Sequence, residues 1–142
     1  MTAKEYFEEI KSKQQAIDLL SRRIREAEAD LTAIGGFDYS KPVVQSSPKN
    51  AMEEKVVALE DMLADLVRTK KEYQEDYFKM ERMLTQLSQA SFGQVIRLRF
   101  FGRKDHIALW GWVADEMGYS EDWVKHLFKD AMTEFEKRFL QS

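Results

Sequence analysis

The sequence predicts an all-α protein with an N-terminal antiparallel helical hairpin and a C-terminal trihelical domain that contains a helix–turn–helix. Three observations carry this prediction. Two long stretches repeat apolar residues at heptad spacing, only two of 142 residues are proline, and a window near the end reads as helix, turn and helix. We expect the hairpin, a coiled coil with a loop at 35–50, to occupy residues 1–90 and the helix–turn–helix domain to occupy 91–142.

The first predicted helix covers about thirty residues and ends at Gly35-Gly36. Its apolar seam alternates steps of three and four residues without a break, and Lys13 is its only polar member. The seam consists of Ala3, Tyr6, Ile10, Lys13, Ile17, Leu20, Ile24, Ala27, Leu31 and Ile34.

The second predicted helix follows a stretch, 37–50, that contains both prolines and reads as a loop. Its seam is as regular as the first, and Lys70 is the only polar member. The seam consists of Met52, Val56, Leu59, Leu63, Leu66, Lys70, Tyr73, Tyr77, Met80, Leu84 and Leu87.

The two seam lysines restrict how the helices can pair. One antiparallel register places Lys13 opposite Lys70 inside the apolar seam, which is unfavourable. A shift of one heptad places Lys13 opposite Tyr77 and Lys70 opposite Leu20, where each lysine can lay its stem on an apolar partner. The second register is our prediction. The alternative left open is that each helix pairs with a copy of itself in a dimer.

The C-terminal fifty residues read as three helices. Ser91 to Phe101 is the first, Gly102 to Asp105 is a loop, and the last helix runs to about Leu140. A unit this short has little core of its own, so we expect it to lean on the coiled-coil segment.

The window from Trp110 to Lys129 carries the helix–turn–helix. Gly118 suits a left-handed turn, Ser120 can cap the following helix, and Ala114 is small where two helices would cross. In such motifs the second helix usually enters the DNA major groove. The expected apolar contacts come from Val113, Met117, Tyr119, Val124 and Leu127.

The outward positions of that second helix are the candidate DNA-reading residues. Lysine reaches phosphate or guanine, histidine reaches a base edge, and a carboxylate accepts from the cytosine amino group. The alternative is a solvated face whose acids only suit the helix N-terminus. These positions are Ser120, Glu121, Asp122, Lys125, His126 and Lys129.

A basic cluster precedes the motif and comprises Arg97, Arg99, Arg103 and Lys104. On the first helix and the following loop, these side chains could hold the DNA backbone. The alternative is a surface that pairs with nearby acids.

Three tryptophans accompany the motif. Trp110 is expected in the core, whereas Trp112 and Trp123 are harder to bury, so one of them could face the coiled coil or a partner.

Charge and motifs exclude several functions. The net charge is −3, and from Ser91 onward eight basic residues balance eight acids. DNA affinity would therefore rest on local clustering and be salt-sensitive. No cysteine is present, and no motif of nucleotide binding or hydrolysis is visible. We expect no enzyme, no cofactor and no metal. The start is charged and the apolar stretches are broken, so we expect no membrane span and a location in the bacterial cytoplasm.

Part of the chain resembles the last DNA-binding region of bacterial sigma factors, region four. The resemblance is carried by V-I-R-L-R-F-F at Val95–Phe101, by V-A-D-E-M-G-Y-S within Trp110–Ser120, and by the helix Trp123–Lys137.

The whole chain resembles small proteins from phages and prophages of Gram-positive bacteria, grouped with late-gene transcription regulators of the RinA and ArpU type. The shared features are A-K-E-Y-x-x-x-I at Ala3–Ile10, V-Q-S-S at Val44–Ser47 and E-M-G-Y-S at Glu116–Ser120, followed by W-V. The chain departs from the family at Glu121 and Asp122, where aromatic or basic residues are usual.

This resemblance implies a regulator of phage or prophage transcription that binds double-stranded DNA. RNA polymerase contact and a homodimer through the hairpin are further options. The rival functions are a phage assembly or DNA-packaging adaptor of the small-terminase kind, and a protein-binding module with a degenerate helix–turn–helix.

Overall fold

A computed structural model describes residues 1–35 and 47–141, with the backbone alone for 33–35 and 47–50. The all-α prediction is confirmed, since the described residues contain helices and no strand. The elements are α1 (Ala3–Gly35), α2 (Ser47–Thr85), α3 (Ala90–Phe101), α4 (Trp110–Met117), α5 (Glu121–Phe135) and a π-helical turn (Glu136–Leu140) that continues α5.

The predicted loop at 35–50 is wrong at both of its ends. Gly35 still belongs to α1, and α2 already begins at Ser47. Pro48 therefore lies in the first turn of a helix, where its missing N–H removes no helical hydrogen bond. The remaining part of the predicted loop, 36–46, lies outside the described residues.

The chain divides into two compact units. One combines Met1–Gln15 with Lys71–Ser142, and the other is Ala16–Lys70. The predicted boundary between residues 90 and 91 falls inside the first unit. As a border between independently folding segments it stays a prediction.

The first unit has a continuous aromatic core. Phe7 of α1 is fully buried, and its ring lies 5.2 Å from that of Phe100 and 4.6 Å from that of Phe135. The C-terminal helices thus pack on the beginning of α1, which fits the expectation that they lean on the coiled-coil segment. The remaining buried members are Ala3, Ile10, Met80, Leu84, Leu87, Phe92, Val95, Ile96, Ala108, Val113, Ala114, Val124, Leu127 and Ala131.

Polar contacts also join the first part of α1 to the C-terminal helices and to the loop after α3. The Ala3 backbone N–H donates to Glu136 Oε1 at 2.8 Å. Lys11 is buried, and its Nζ donates to Gln14 Oε1 at 2.7 Å and to the backbone carbonyls of Arg103 and Lys104. Lys11 therefore holds the loop after α3 in place.

Lys13 contacts α2 near the position that the second register assigns to it. Its Nζ donates to the Asp76 carboxylate, next to Tyr77, and this hydrogen bond raises the pKa of Lys13. The Tyr77 ring packs edge-on against Phe101 at 5.5 Å. Hairpin and register as a whole stay predictions.

The second unit buries very little. Among its described side chains, only Ile24 is buried. Several seam residues that the heptad pattern assigns to a helix interface, including Met52, Val56 and Leu63, are exposed.

Candidate nucleic-acid interface

Gly118 ends α4 in the way the sequence predicts. Its backbone is left-handed, with φ 72° and ψ 28°, a conformation that glycine adopts without a Cβ clash. The Tyr119 N–H donates to the Ala114 carbonyl at 3.1 Å, and the Gly118 N–H donates to that of Asp115 at 3.3 Å. This pair of bonds is the Schellman arrangement, which turns the chain sharply after the helix.

Ser120 caps α5, also as predicted. Its hydroxyl oxygen accepts from the Trp123 N–H at 3.2 Å, which satisfies one of the unpaired donors of the first turn. Only three residues thus separate α4 from α5.

Four of the five residues predicted to supply apolar contacts of the motif are buried or half-buried. Val113, Val124 and Leu127 are buried, and Met117 is half-buried. The prediction for Tyr119 is wrong, because the residue is 51% exposed. It follows the left-handed glycine, where the chain has already left the face that α4 buries.

The candidate DNA-reading side chains of α5 lie at the surface, and two of them have acidic partners one turn away. Lys125 Nζ lies 3.2 Å from Glu121 Oε1, and His126 Nε2 lies 3.5 Å from Asp130 Oδ2. These groups are about half exposed or more, so each pair stabilises the helix by little and can exchange for another partner. Lys129, also exposed, lies one turn beyond Lys125.

Two members of the predicted basic cluster, Arg97 and Arg99, contact partners within the chain. Arg97 Nε donates to both carboxylate oxygens of Glu81 at 2.9 Å, which joins α3 to α2. The Arg99 guanidinium lies 4.2 Å above the Trp110 ring and donates to the Ala108 carbonyl. Burial lowers the pKa of Arg99.

Arg103 and Lys104 remain exposed on the loop after α3. The Arg103 guanidinium lies 5.5 Å from the Trp112 ring centroid. A Cβ added at Gly102 would meet that ring at 2.5 Å. Trp112 therefore lies against the loop backbone, and the glycine makes this close approach sterically possible.

Two of the three tryptophans are half-buried and the third is exposed. Trp110 is half-buried and packs edge-on against Phe128 at 4.9 Å. Trp112 of α4 is half-buried against the loop that follows α3. Trp123, at 51%, is the most exposed, and its ring lies 6.1 Å from that of His126.

Two of the predicted site residues, Arg99 and Lys129, meet at a groove of about 410 Å³ in the first unit. Its apolar lining comes from α1, α3, α5 and the loop between α3 and α4. Lys4 adds a third cation, and Glu8 and Glu136 line the same groove. Sequence reasoning missed this groove, because it depends on the first turn of α1 packing beside α5. The apolar members are Ala3, Phe100, Ile107, Phe128 and Met132.

Among the described residues, no group of three or more His, Cys, Asp or Glu side chains is placed to hold a metal ion. Within the same residues, no helix combines the length and the apolar character that crossing a bilayer requires.

Comparison of the chain with protein-family models, curated protein sequences and solved structures gave no match.

Proposed function

We propose that the protein binds double-stranded DNA and regulates phage or prophage transcription in the bacterial cytoplasm, with α5 as its recognition helix. One observation carries the proposal: a left-handed glycine and a serine cap join two short helices by three residues, and the outward face of the second helix stays exposed. That combination is what insertion of a helix into the major groove requires.

The leading end of α5 would face the bases. Ser120 can donate or accept there, and Glu121 or Asp122 can accept from a cytosine amino group. Lys125 and Lys129, one and two turns further along, would reach phosphates or guanine, and His126 a base edge. The Glu121–Lys125 pair can open at small cost because both groups are exposed.

The loop after α3 would hold the DNA backbone. Arg103 and Lys104 are exposed there, and Lys11 fixes the loop by its two hydrogen bonds to their carbonyls. Arg99 and Lys129 add charge at the groove. Arg97 contributes less to backbone binding, because its Nε already donates to the Glu81 carboxylate.

The hairpin belongs to the same proposal. We place α1 and α2 antiparallel in the second register, with Ala27 opposite Leu63, and assign the pair to a homodimer or to RNA polymerase. Cysteines at Ala27 and Leu63 should form a disulfide within one chain. Failure of that crosslink under oxidising conditions counts against the register.

Electrophoretic mobility shift against fragments of a phage or prophage genome tests the DNA proposal. We expect a shift confined to one or a few fragments that survives near-physiological salt. The double variant Lys125→Ala with Lys129→Ala should weaken it and lower the salt slope by about 2. The matched control is Lys71→Ala with Lys79→Ala, two exposed lysines of α2.

A shift on every fragment that salt abolishes would refute specific DNA binding. If both double variants lose DNA affinity equally, α5 is not the recognition helix. The lysines then contribute only non-specific electrostatic attraction.

A second candidate, a helix–turn–helix that binds protein, is favoured by the acids and aromatics at the leading end of α5. Glu121 and Asp122 repel phosphates, and Tyr119 and Trp123 are each 51% exposed. Exposed aromatics of this kind are common in protein interfaces. Capture of a protein that Trp123→Ala abolishes, with no DNA shift at any salt, would establish this function instead. Ring-sized oligomers by light scattering would point to an assembly or packaging adaptor.

A further inference from the structure

The groove of the first unit combines apolar side chains with three cationic ones. Its volume of about 410 Å³ lies within the range of pockets that take small molecules. The rings of Phe100 and Phe128 line it with their centroids 5.8 Å apart, and Ile107 and Met132 add aliphatic surface. These side chains offer a place for the apolar body of a ligand.

Both acids that line the groove already have partners on α1. Glu136 Oε1 accepts the backbone N–H of Ala3 at 2.8 Å. Glu8 Oε1 lies 3.9 Å from Nζ of Lys4, one helical turn earlier. The negative charge of the groove is therefore engaged by groups of the chain itself.

The other two cations of the groove differ from Lys4 in this respect. Among the residues that the structure describes, neither Arg99 nor Lys129 forms an ion pair. Arg99 is half-buried, and its guanidinium meets the Trp110 ring and the Ala108 carbonyl, which are both neutral. A guanidinium carries five N–H donors, so donors remain for an anion. A partly buried cation with neutral partners alone favours an anion from outside the chain.

We propose that the groove binds a small carboxylate with an apolar body, which is an aromatic ring system or a short acyl chain. The carboxylate accepts from Arg99 and lies beside Lys129, and the body packs on Phe100, Phe128 and Met132. Two cations without acidic partners suit a single carboxylate better than a polyanion. The inference goes beyond the proposed function, and no DNA takes part in its test.

Isothermal titration calorimetry of the full chain with 2-naphthoate and with octanoate tests the site. We expect at least one of them to bind with a Kd between about 10 µM and 1 mM, as suits ligands of this size. The tighter of the two identifies the body as aromatic or acyl. The matched neutral probes are 2-naphthamide and 1-octanol, and each should bind at least about threefold more weakly than its carboxylate.

Two variants test the assigned cations. Lys129→Gln, at an exposed site, should weaken carboxylate binding about threefold to fivefold and leave the neutral probes unchanged. The matched control is Lys125→Gln, an exposed lysine of α5 one turn from Lys129 and outside the groove, which should leave the Kd unchanged. Arg99→Gln should weaken binding at least about tenfold. Circular dichroism checks its fold, because Arg99 also holds the Ala108 carbonyl. If this variant unfolds, the two lysine variants still decide the question.

Three results would overturn the proposal. The first is the absence of binding with a Kd below about 1 mM for both carboxylates. The second is an equal Kd for each carboxylate and its neutral probe, which would mean that the apolar body binds without an anion site. The third is equal weakening by Lys129→Gln and Lys125→Gln, which would assign the effect to the overall charge of α5.

Discussion

The two units of this protein bury their apolar residues to different extents. The first unit buries seventeen apolar residues in one connected cluster, from Ala3 to Phe135. The second buries Ile24 alone among its described side chains, although its heptad seams are just as regular. A regular seam therefore indicates that a helix will pack against something, and it does not say whether that neighbour belongs to the same chain.

The same leucine-to-alanine substitution should lower the free energy of unfolding much more in the first unit than in the second. Leu84→Ala, at a site with 2% exposure, removes a side chain from the connected core and should cost about 2–5 kcal/mol of unfolding free energy. Leu19→Ala, at an exposed site of α1, should cost less than about 0.5 kcal/mol. Urea denaturation followed by circular dichroism measures both. Equal losses would show that the second unit is packed as tightly as the first.

Removal of the Lys11 ammonium should have the next largest effect. Lys11→Met leaves the Arg103 and Lys104 carbonyls without this donor, and we expect a loss of about 1–3 kcal/mol. Amide hydrogen exchange in the loop after α3 should speed up as well. The exposed Lys79→Met serves as control and should change neither quantity. Unaltered exchange in Lys11→Met would mean that the loop is held by its other contacts.

Two glycines, Gly111 within α4 and Gly118 directly after it, should respond with opposite signs to the same change. Gly118→Ala forces a Cβ into a left-handed backbone and should cost about 1–2 kcal/mol. Gly111→Ala, inside α4 with open space around it, should stabilise by about 0.5–1 kcal/mol. Thermal unfolding of the two variants gives the comparison. A loss at both positions would mean that Gly111 serves a contact outside the single chain.

The smallest expected effect is the pH dependence at Glu134. Hydrogen bonding from Ser88, whose N–H lies 2.9 Å from Glu134 Oε2, lowers the pKa of this carboxyl. A depressed folded-state pKa gives stability that is present above the unfolded value and is lost as the pH falls through the folded one. Glu134→Gln should therefore lower the denaturation midpoint at pH 7, and this difference should shrink as the pH falls below the unfolded value of about 4.3. The exposed Glu26→Gln is the control; a constant difference across this range would exclude titration of Glu134.

Local features of the fold were predictable because their causes are local. The turn at Gly118 and the cap at Ser120 depend on residues within five positions, and the structure has both. The heptad seams predicted α1 and most of α2. The start of α2 was missed because Pro48 in a loop-like sequence can equally begin a helix.

Features that depend on distant neighbours were not predictable in the same way. Phe7 lies beside the seam of α1, and its burial depends on packing against the rings of Phe100 and Phe135. In the sequence, nothing distinguishes the buried Lys11 from an exposed lysine of a helix. The partners of Arg97 and Arg99, Glu81 and Trp110, likewise lie on other helices, and spacing along the sequence does not predict these pairings.

The packing of Phe7 against Phe135 has a consequence for the order of folding. The first unit joins segments that are separated by the whole of Ala16–Lys70, so its contacts have a large sequence separation. On the ribosome, α1 can form as soon as it emerges, but its aromatic end must wait until nearly the whole chain has been synthesised. Until then Phe7 lacks the rings of Phe100 and Phe135, which pack against it in the folded chain.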